Sequence, residues 1–510
     1  MYNLLFISNT SITVELNNKD IYKTKAYEVL LNDKPVLKTE KNVFSLYDLT
    51  PNTSYKLTVL GEEKTFKTKQ ETACINVKDF FATGDGKTDD TDQIQLAINS
   101  LPKGGRVYFP EGTYYVRPLF LRSDITLELS KEATLLASTN IDDYPKLPGS
   151  FETDSGIFEL STWEGERVET YASVITGIGV ENVSIIGEGT INASGLEGGW
   201  WVNPKQQKKG AYRPKGIYLT NAKHITLQGI KVMNTPSWNI HPFFSEDLNI
   251  LDIKLQSPKD SPNTDGCNPE FCRNVNIIGV EFSVGDDCIA LKSGKMTMGS
   301  LYKRGTENIT IRNCHMAFGH GAIVLGSEIG GGIKNINVSQ CYFESTDRGL
   351  RIKTRRGRGQ YSRIDGITFE NIYMDNVLTP LVMNMFYFCD IDGKTEYVWS
   401  KDALPVDERT PYLGEFTFKD IVCDNVHVAA GYFHGLLEQP IKKITLDNVI
   451  FNYHQNPIKD TPAMMSFLEP MKGKGLVFNN VEDVFLNNVK INTINNKPIE
   501  KDEKTRLHIS

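Results

Sequence analysis

The sequence predicts an all-β chain: a solenoid of stacked parallel strands preceded by a small β-sandwich. Three observations carry this. A short phrase of alternating apolar residues, often with Asn just before it, recurs down the chain. Each copy is too short for a helix and has the two-residue period of a strand. Residues 1–70 lack the phrase and read instead as independent alternating strands around a turn.

In that first segment Ile12–Leu16, Tyr27–Leu30 and Tyr55–Val59 are the candidate strands, and Thr50-Pro-Asn-Thr53 is the turn. The run Leu49-Thr-Pro-Asn-Thr-Ser-Tyr55-Lys-Leu57 resembles the fibronectin type III pattern, in which the Leu packs under a turn and the Tyr anchors a sandwich corner. The segment is short for that fold and has no early Trp, so the expectation is an accessory module short of one strand.

A different pattern begins near residue 72. Gly84-Asp-Gly86 marks a turn, and an amphipathic helix follows, with Asp90 or Thr91 as its cap and Ile94, Ala97 and Ile98 as its apolar stripe. No Gly-Lys-Ser/Thr follows the turn, so it is not a phosphate loop. Gly104–Tyr114 reads as strand, turn, strand. These residues resemble the N-terminal cap of right-handed parallel β-helix enzymes acting on pectin, which implies that residues 72–510 form such a catalytic domain.

Clear copies of the repeated phrase are Asn182-Val-Ser-Ile185, Asn274-Val-Asn-Ile277, Asn308-Ile-Thr-Ile311 and Asn335-Ile-Asn-Val338. Variants include His224-Ile-Thr-Leu227, Gly366-Ile-Thr-Phe369, Lys443-Ile-Thr-Leu446 and Asp483-Val-Phe-Leu486. Many lie roughly 23 to 34 residues apart, so successive copies stack as parallel strands and bury one face. Cys314 and Cys341 share one offset in adjacent copies, as stacked core residues would. The long gaps, 186–223, 287–307 and 370–415, are the loops expected to build a binding face.

Charge narrows the function classes. The chain has 56 Lys and Arg against 63 Asp and Glu, net −7, and 40% of its residues are hydrophobic. A basic footprint for nucleic acid is missing, so any anionic partner must meet locally concentrated positive charge. No run of about 18 apolar residues exists, so no membrane helix is expected. Met1–Ser8 lacks a basic signal-peptide start, which makes the cytoplasm the expected location. Eight cysteines form no Cys-x-x-Cys pair; Cys267 and Cys272 come closest, without zinc-spaced partners, so free thiols are expected.

Four phrases between residues 263 and 358 carry chemistry: Asn263-Thr-Asp265-Gly, Gly285-Asp286-Asp287-Cys, Gly319-His320-Gly321 and Arg351-Ile-Lys353. Asp265 and the Asp286–Asp287 pair are nearly one coil apart, so stacking clusters three carboxylates. Crowded carboxylates cannot all ionise easily, and one raised pKa supplies a general acid while its neighbours activate water. An inverting glycosidase needs this equipment, with about 6.5 to 9.5 Å between acid and base. Turn capping or a calcium site is the alternative for the acids alone. Arg351 and Lys353 point outward around a buried Ile352, a fork and a point charge suited to a sugar carboxylate. The basic run continues through Arg355, Arg356 and Arg358, as a solvated turn or as further positive charge beside the acids.

Together the four phrases resemble the signature of glycoside hydrolase family 28, the polygalacturonases, over residues from about 72 to 500. The resemblance implies that Asp286 is the general acid and that Asp265 and Asp287 hold and deprotonate the attacking water. It gives His320 a hydrogen bond near the acids, with its flanking glycines letting the backbone approach a sugar, and Asn263 an orienting role. Arg351 and Lys353 would grip a galacturonate carboxyl next to the cleaved bond. Trp238-Asn-Ile-His241-Pro, Leu291-Lys292-Ser-Gly, Gly326-Ser-Glu328 and the insert with Trp200 and Trp201 resemble the bacterial exo-acting branch. There His241 and Lys292 would face the cleft, or serve structure, and the tryptophans would stack on sugar or pack their loop.

The interval from Asp287 to His320 is longer than in the fungal endo pattern, and the extra loop is expected to wall off one end of the groove. The expected activity is inverting, exo-acting hydrolysis of α-1,4-galacturonosyl linkages in pectate or oligogalacturonides, without metal or cofactor. Endo action, or rhamnogalacturonan or xylogalacturonan hydrolysis, is the alternative within the family. A calcium-dependent pectate lyase and a non-catalytic sugar-binding solenoid are the alternatives outside it.

Overall fold

In the computed structural model, which describes residues 1–154, 156–492 and 497–510, two all-β units pack side by side. The first holds β1 (Tyr2–Ile7), β2 (Ile12–Leu16), β3 (Lys23–Leu31), β4 (Lys34–Lys41), β5 (Val43–Leu46), β6 (Ser54–Val59) and β7 (Glu62–Lys67). Antiparallel sheets ordered β1-β2-β5 and β4-β3-β6-β7 enclose a core that includes Val14, Val29, Phe44 and Leu57. Seven strands are therefore present; the expected shortfall fails because β4 and β7 are charged on their open faces and carry little apolar signal. Leu49 is buried, and the Tyr55 hydroxyl accepts the Thr50 N–H at 2.8 Å.

The remainder is a right-handed parallel β-helix. The recurring phrases stand in register along its largest sheet: Val183 pairs with Ile225, then Leu248, Val275, Ile309, Ile336 and Ile367. Their alternate side chains fill one continuous core. The preceding Asn has a physical reason. Asn182, Asn274, Asn308 and Asn335 sit at φ between 55° and 59°, a left-handed turn that Asn tolerates better than most residues. Their side chains also form a ladder, Asn335 to Asn308 and Asn308 to Asn274, each 3.2 Å. Cys314 and Cys341 stack in this core, and all eight cysteines are free thiols.

At the N-terminal end, α1 (Thr91–Ser100) covers the first coil with Ile94, Ala97 and Ile98 buried. Asp90 precedes it but does not cap it through its side chain; its carboxylate ties down the Thr83 and Gly84 N–H groups at 2.6 and 2.9 Å. The sandwich docks on the outer turns of the largest sheet. Glu15 takes a forked bond from Arg312 at 2.6 and 2.7 Å, and Tyr22 donates to Glu281.

A second parallel sheet carries the chemistry. Its strands here are β8 (Ile240–Phe243), β9 (Ile289–Leu291), β10 (Ile323–Gly326), β11 (Arg348–Lys353), β12 (Thr379–Asn384), β13 (Ala429–His434) and β14 (Lys474–Asn479). Strands β9 to β14 are consecutive neighbours, and single bridges through Cys267 and Glu270 link β8 to β9.

Candidate active site

One cleft of about 410 Å³ opens on this sheet. Asp265, Asp286 and Asp287 lie in the turns leading into consecutive coils, which explains how residues twenty apart in sequence converge. One carboxylate oxygen from each lies within 4.8 Å of the others. That closest approach is tighter than the gap expected between an acid and a base. It is also close enough to chelate a cation, but the cluster already faces protein cations. Lys353 Nζ is 2.5 Å from Asp287 Oδ2, Arg351 Nη1 is 3.6 Å from Asp287 Oδ1, and His320 Nδ1 is 3.6 Å from Asp286 Oδ1.

The three acids differ. Burial, reinforced by the charge of Asp286, pushes Asp265 up to about 8. Burial also pushes Asp286 upward, but the His320 hydrogen bond and the Lys353 and Arg351 charges outweigh it and hold that carboxyl below its ordinary range. So one acid is raised, by burial first and crowding second, and in the free protein it is Asp265 rather than Asp286. The Asp286 side chain is 23% exposed against 3% for Asp287, which makes it the more accessible of the pair. Asp287 Oδ1 is buried and accepts no hydrogen bond among the described residues.

His320 has its pKa raised, chiefly by its hydrogen bond to Asp286. Its flanking glycines are required by packing. A Cβ on Gly319 would sit 2.7 Å from Cys288 Sγ, and one on Gly321 2.5 Å from Val324. Asn263 lines the cleft at φ 57°, held by a 2.6 Å bond from the buried Arg213 guanidinium. Arg351 and Lys353 on β11 reach the cleft as expected, and so does Lys292, paired with Glu328 at 2.8 Å.

Two expectations are corrected, and Trp200 takes the second of its two expected roles. His241 does not face the cleft: it is fully buried on β8, 3.0 Å from Glu270, with the Trp238 ring edge-on at 4.7 Å. Burial drives His241 down and Glu270 up to about 8, so burial favours the neutral form of each. Arg355, Arg356 and Arg358 form neither a solvated turn nor an anion site. Arg355 is buried against Asp392, Arg356 against Glu438, and Arg358 beside Asp390. Trp200 packs its own loop against Tyr144 and Tyr171 and meets no solvent.

Sequence reasoning missed five cleft residues: Glu164, Lys205, Tyr387, Cys389 and Met464. Lys205 and Tyr387 fall in gaps read as binding loops. Glu164 and Met464 come from loops with no repeat signal, and Glu164 pairs with Lys205. None of residues 1–70 lines the cleft.

Comparison with known proteins agrees with this geometry. The profile of glycosyl hydrolases family 28 matches residues 126–402, and that of rhamnogalacturonase A/epimerase, pectate lyase-like, matches 74–143. A probable polygalacturonase of Vitis vinifera is 31% identical over 379 residues, 73% of this chain and 72% of that protein. An exo-poly-alpha-D-galacturonosidase of Dickeya chrysanthemi is 26% identical over 401 residues, 70% of this chain and 64% of that one. In fold, the family 28 exopolygalacturonase of Yersinia enterocolitica superposes with a TM-score of 0.73, covering 99% of this chain and 98% of that one at 22% identity. With the profile match, the curated relatives and the acid cluster in agreement, the chain belongs to glycosyl hydrolases family 28.

Proposed function

We propose that this glycoside hydrolase cleaves α-1,4-galacturonosyl linkages of pectate or oligogalacturonides, from a chain end and with inversion. The observation that carries the reading is the pair of cations, Arg351 and Lys353, set against three clustered carboxylates in one cleft. The cations suit a uronate carboxylate, and the acids supply proton donor and water activation to the bond beside it. Relatives named as polygalacturonases support the substrate class.

Asp286, the more exposed acid, donates to the leaving oxygen. Asp265 and Asp287 hold the water, since one water can bridge oxygens up to about 5.6 Å apart, twice a hydrogen bond. In the free protein burial favours the protonated form of Asp265. A substrate carboxylate that engages Arg351 and Lys353 shares the charges that keep Asp286 ionised, so proton affinity moves toward Asp286 on binding. Action from a chain end is supported by Glu164 and Lys205, which stand in loops that precede the acids in the chain and pair with each other at the cleft.

A product time course on defined oligogalacturonides tests the reading, with the anomer of the first product followed by NMR. Release of one short product from an end with inverted configuration is expected. A lack of new reducing ends would refute hydrolysis, a ladder of sizes would refute end action, and a retained anomer would refute inversion.

A further inference from the structure

The outward row of the cleft sheet runs from Val324 through Arg351 to Val382, Tyr432 and Val477, each in register with the next. In an open groove the positions past Arg351 would face solvent. Instead Val382 and Tyr432 are 1% and 4% exposed. Residues 454–473, between the strand Ile441–Tyr453 and β14, reach back to this sheet, where the Met464 carbonyl meets Asn384 at the end of β12. Ala463 and Met465 of this strap are themselves buried, at 5% and 7% exposure. Met465 also bridges Tyr387, and Asp460 bridges Met471, which closes the strap on itself.

The strap is anchored from below. Arg348, at the start of β11, donates to the Pro462 carbonyl at 2.8 Å and the Thr461 carbonyl at 2.5 Å. Its third bond goes to its neighbour's carbonyl, Asp347 O, at 2.7 Å. A buried guanidinium spent on carbonyls forgoes the stronger bond to a carboxylate, yet it fixes a loop of no regular structure. Asn384 adds a 2.9 Å bond to the Met464 carbonyl. The result sets Met464 Sδ 2.9 Å from Arg351 Nη2.

We propose that residues 454–473 form an end wall of the cleft on the Arg351 side, with Met464 as its face and Arg348 as the positioning residue that holds it. This rests on the reading that Arg351 and Lys353 hold a sugar carboxylate. The sugar they hold is then the last one the groove accommodates, and any longer chain must turn outward there. The wall selects short oligomers by steric exclusion, while the acids on the other side of Arg351 do the chemistry.

The full chain tests this as Met464→Ala, Arg348→Ala and Arg348→Lys, assayed on oligogalacturonides from the dimer upward. Met464→Ala and Arg348→Ala should raise the long-to-short ratio of kcat/KM by about tenfold, the scale of one steric determinant in a pocket. Arg348→Lys should stay near the wild-type ratio, because an ammonium still reaches the carbonyls. Each substitution is also combined with Asp286→Asn, and affinity for the same oligomers is titrated. Ratios and affinities that stay flat with length in Met464→Ala overturn the end wall. So does an Arg348→Ala loss equal at every length, which marks a merely structural role. If the wild type cleaves nothing while Met464→Ala still shifts affinity with length, the hydrolase reading falls and the end wall stands.

Discussion

Lys353 Nζ lies 2.5 Å from Asp287 Oδ2, so the ammonium expected to meet a sugar carboxylate already neutralises one of the three acids. Both side chains are nearly buried, and Asp287 has Arg351 at 3.6 Å as its second positive neighbour. Substrate binding and acid chemistry therefore share one electrostatic element.

Lys353→Met should consequently reduce kcat as well as raise KM. Loss of one charge-assisted partner at the reacting centre is expected to cost about 100-fold or more in kcat/KM. Steady-state kinetics on an oligogalacturonide separates the two parameters, and a change confined to KM would limit Lys353 to binding.

Asp286→Asn should lower kcat by about 10²- to 10⁴-fold, the usual contribution of a general acid, while oligomer affinity is kept because the carboxamide preserves shape. A kcat within a few-fold of wild type would refute the assignment.

Asp265 gives a pH prediction with a definite sign. Its pKa is raised on folding from an ordinary 3.8 to about 8. Its contribution to stability is complete below the unfolded value and is lost as pH rises through the folded value. Asp265→Asn should thus gain melting temperature over wild type increasingly between pH 4 and 8, while losing activity. Wild-type turnover should also fall above about 8, where the cluster surrenders its proton. Parallel melting curves of the two proteins across pH would contradict the raised pKa.

His241→Ala should act on stability and spare substrate binding, because it strips the fully buried Glu270 of its 3.0 Å partner. An unsatisfied buried group costs about 1 to 3 kcal/mol, enough to read as a lower urea midpoint. A raised KM with unchanged stability would return His241 to the substrate site.

Chelation should leave the rate unchanged, since Lys353, Arg351 and His320 already oppose the charge of the acids. Activity that disappears in EDTA, with an ultraviolet-absorbing product in untreated samples, would favour elimination over hydrolysis.

Much of the fold was legible because its determinants are local. A period of two, an Asn that accepts a left-handed turn, and spacing near one coil are properties of a few consecutive residues, and they place Val183, Ile225 and Val275 in one ladder. The acid cluster followed from the same stacking. The basic run at 355–358 misled because its acidic partners, Asp390, Asp392 and Glu438, come 32 to 82 residues later. His241 misled for a related reason: its strand places it outward from the solenoid core, and a layer holding Leu160 and Leu147 then covers that face.

By itself, then, the sequence determined the β-helix, the seat of the three acids and the two cations beside them, because repeat stacking converts sequence spacing into position. Only the tertiary structure decided what stands beside Arg351, which acid burial pushes up, and that Arg348 serves a loop more than a hundred residues away. Those depend on burial and on contacts between distant loops, and neither leaves a period in the chain.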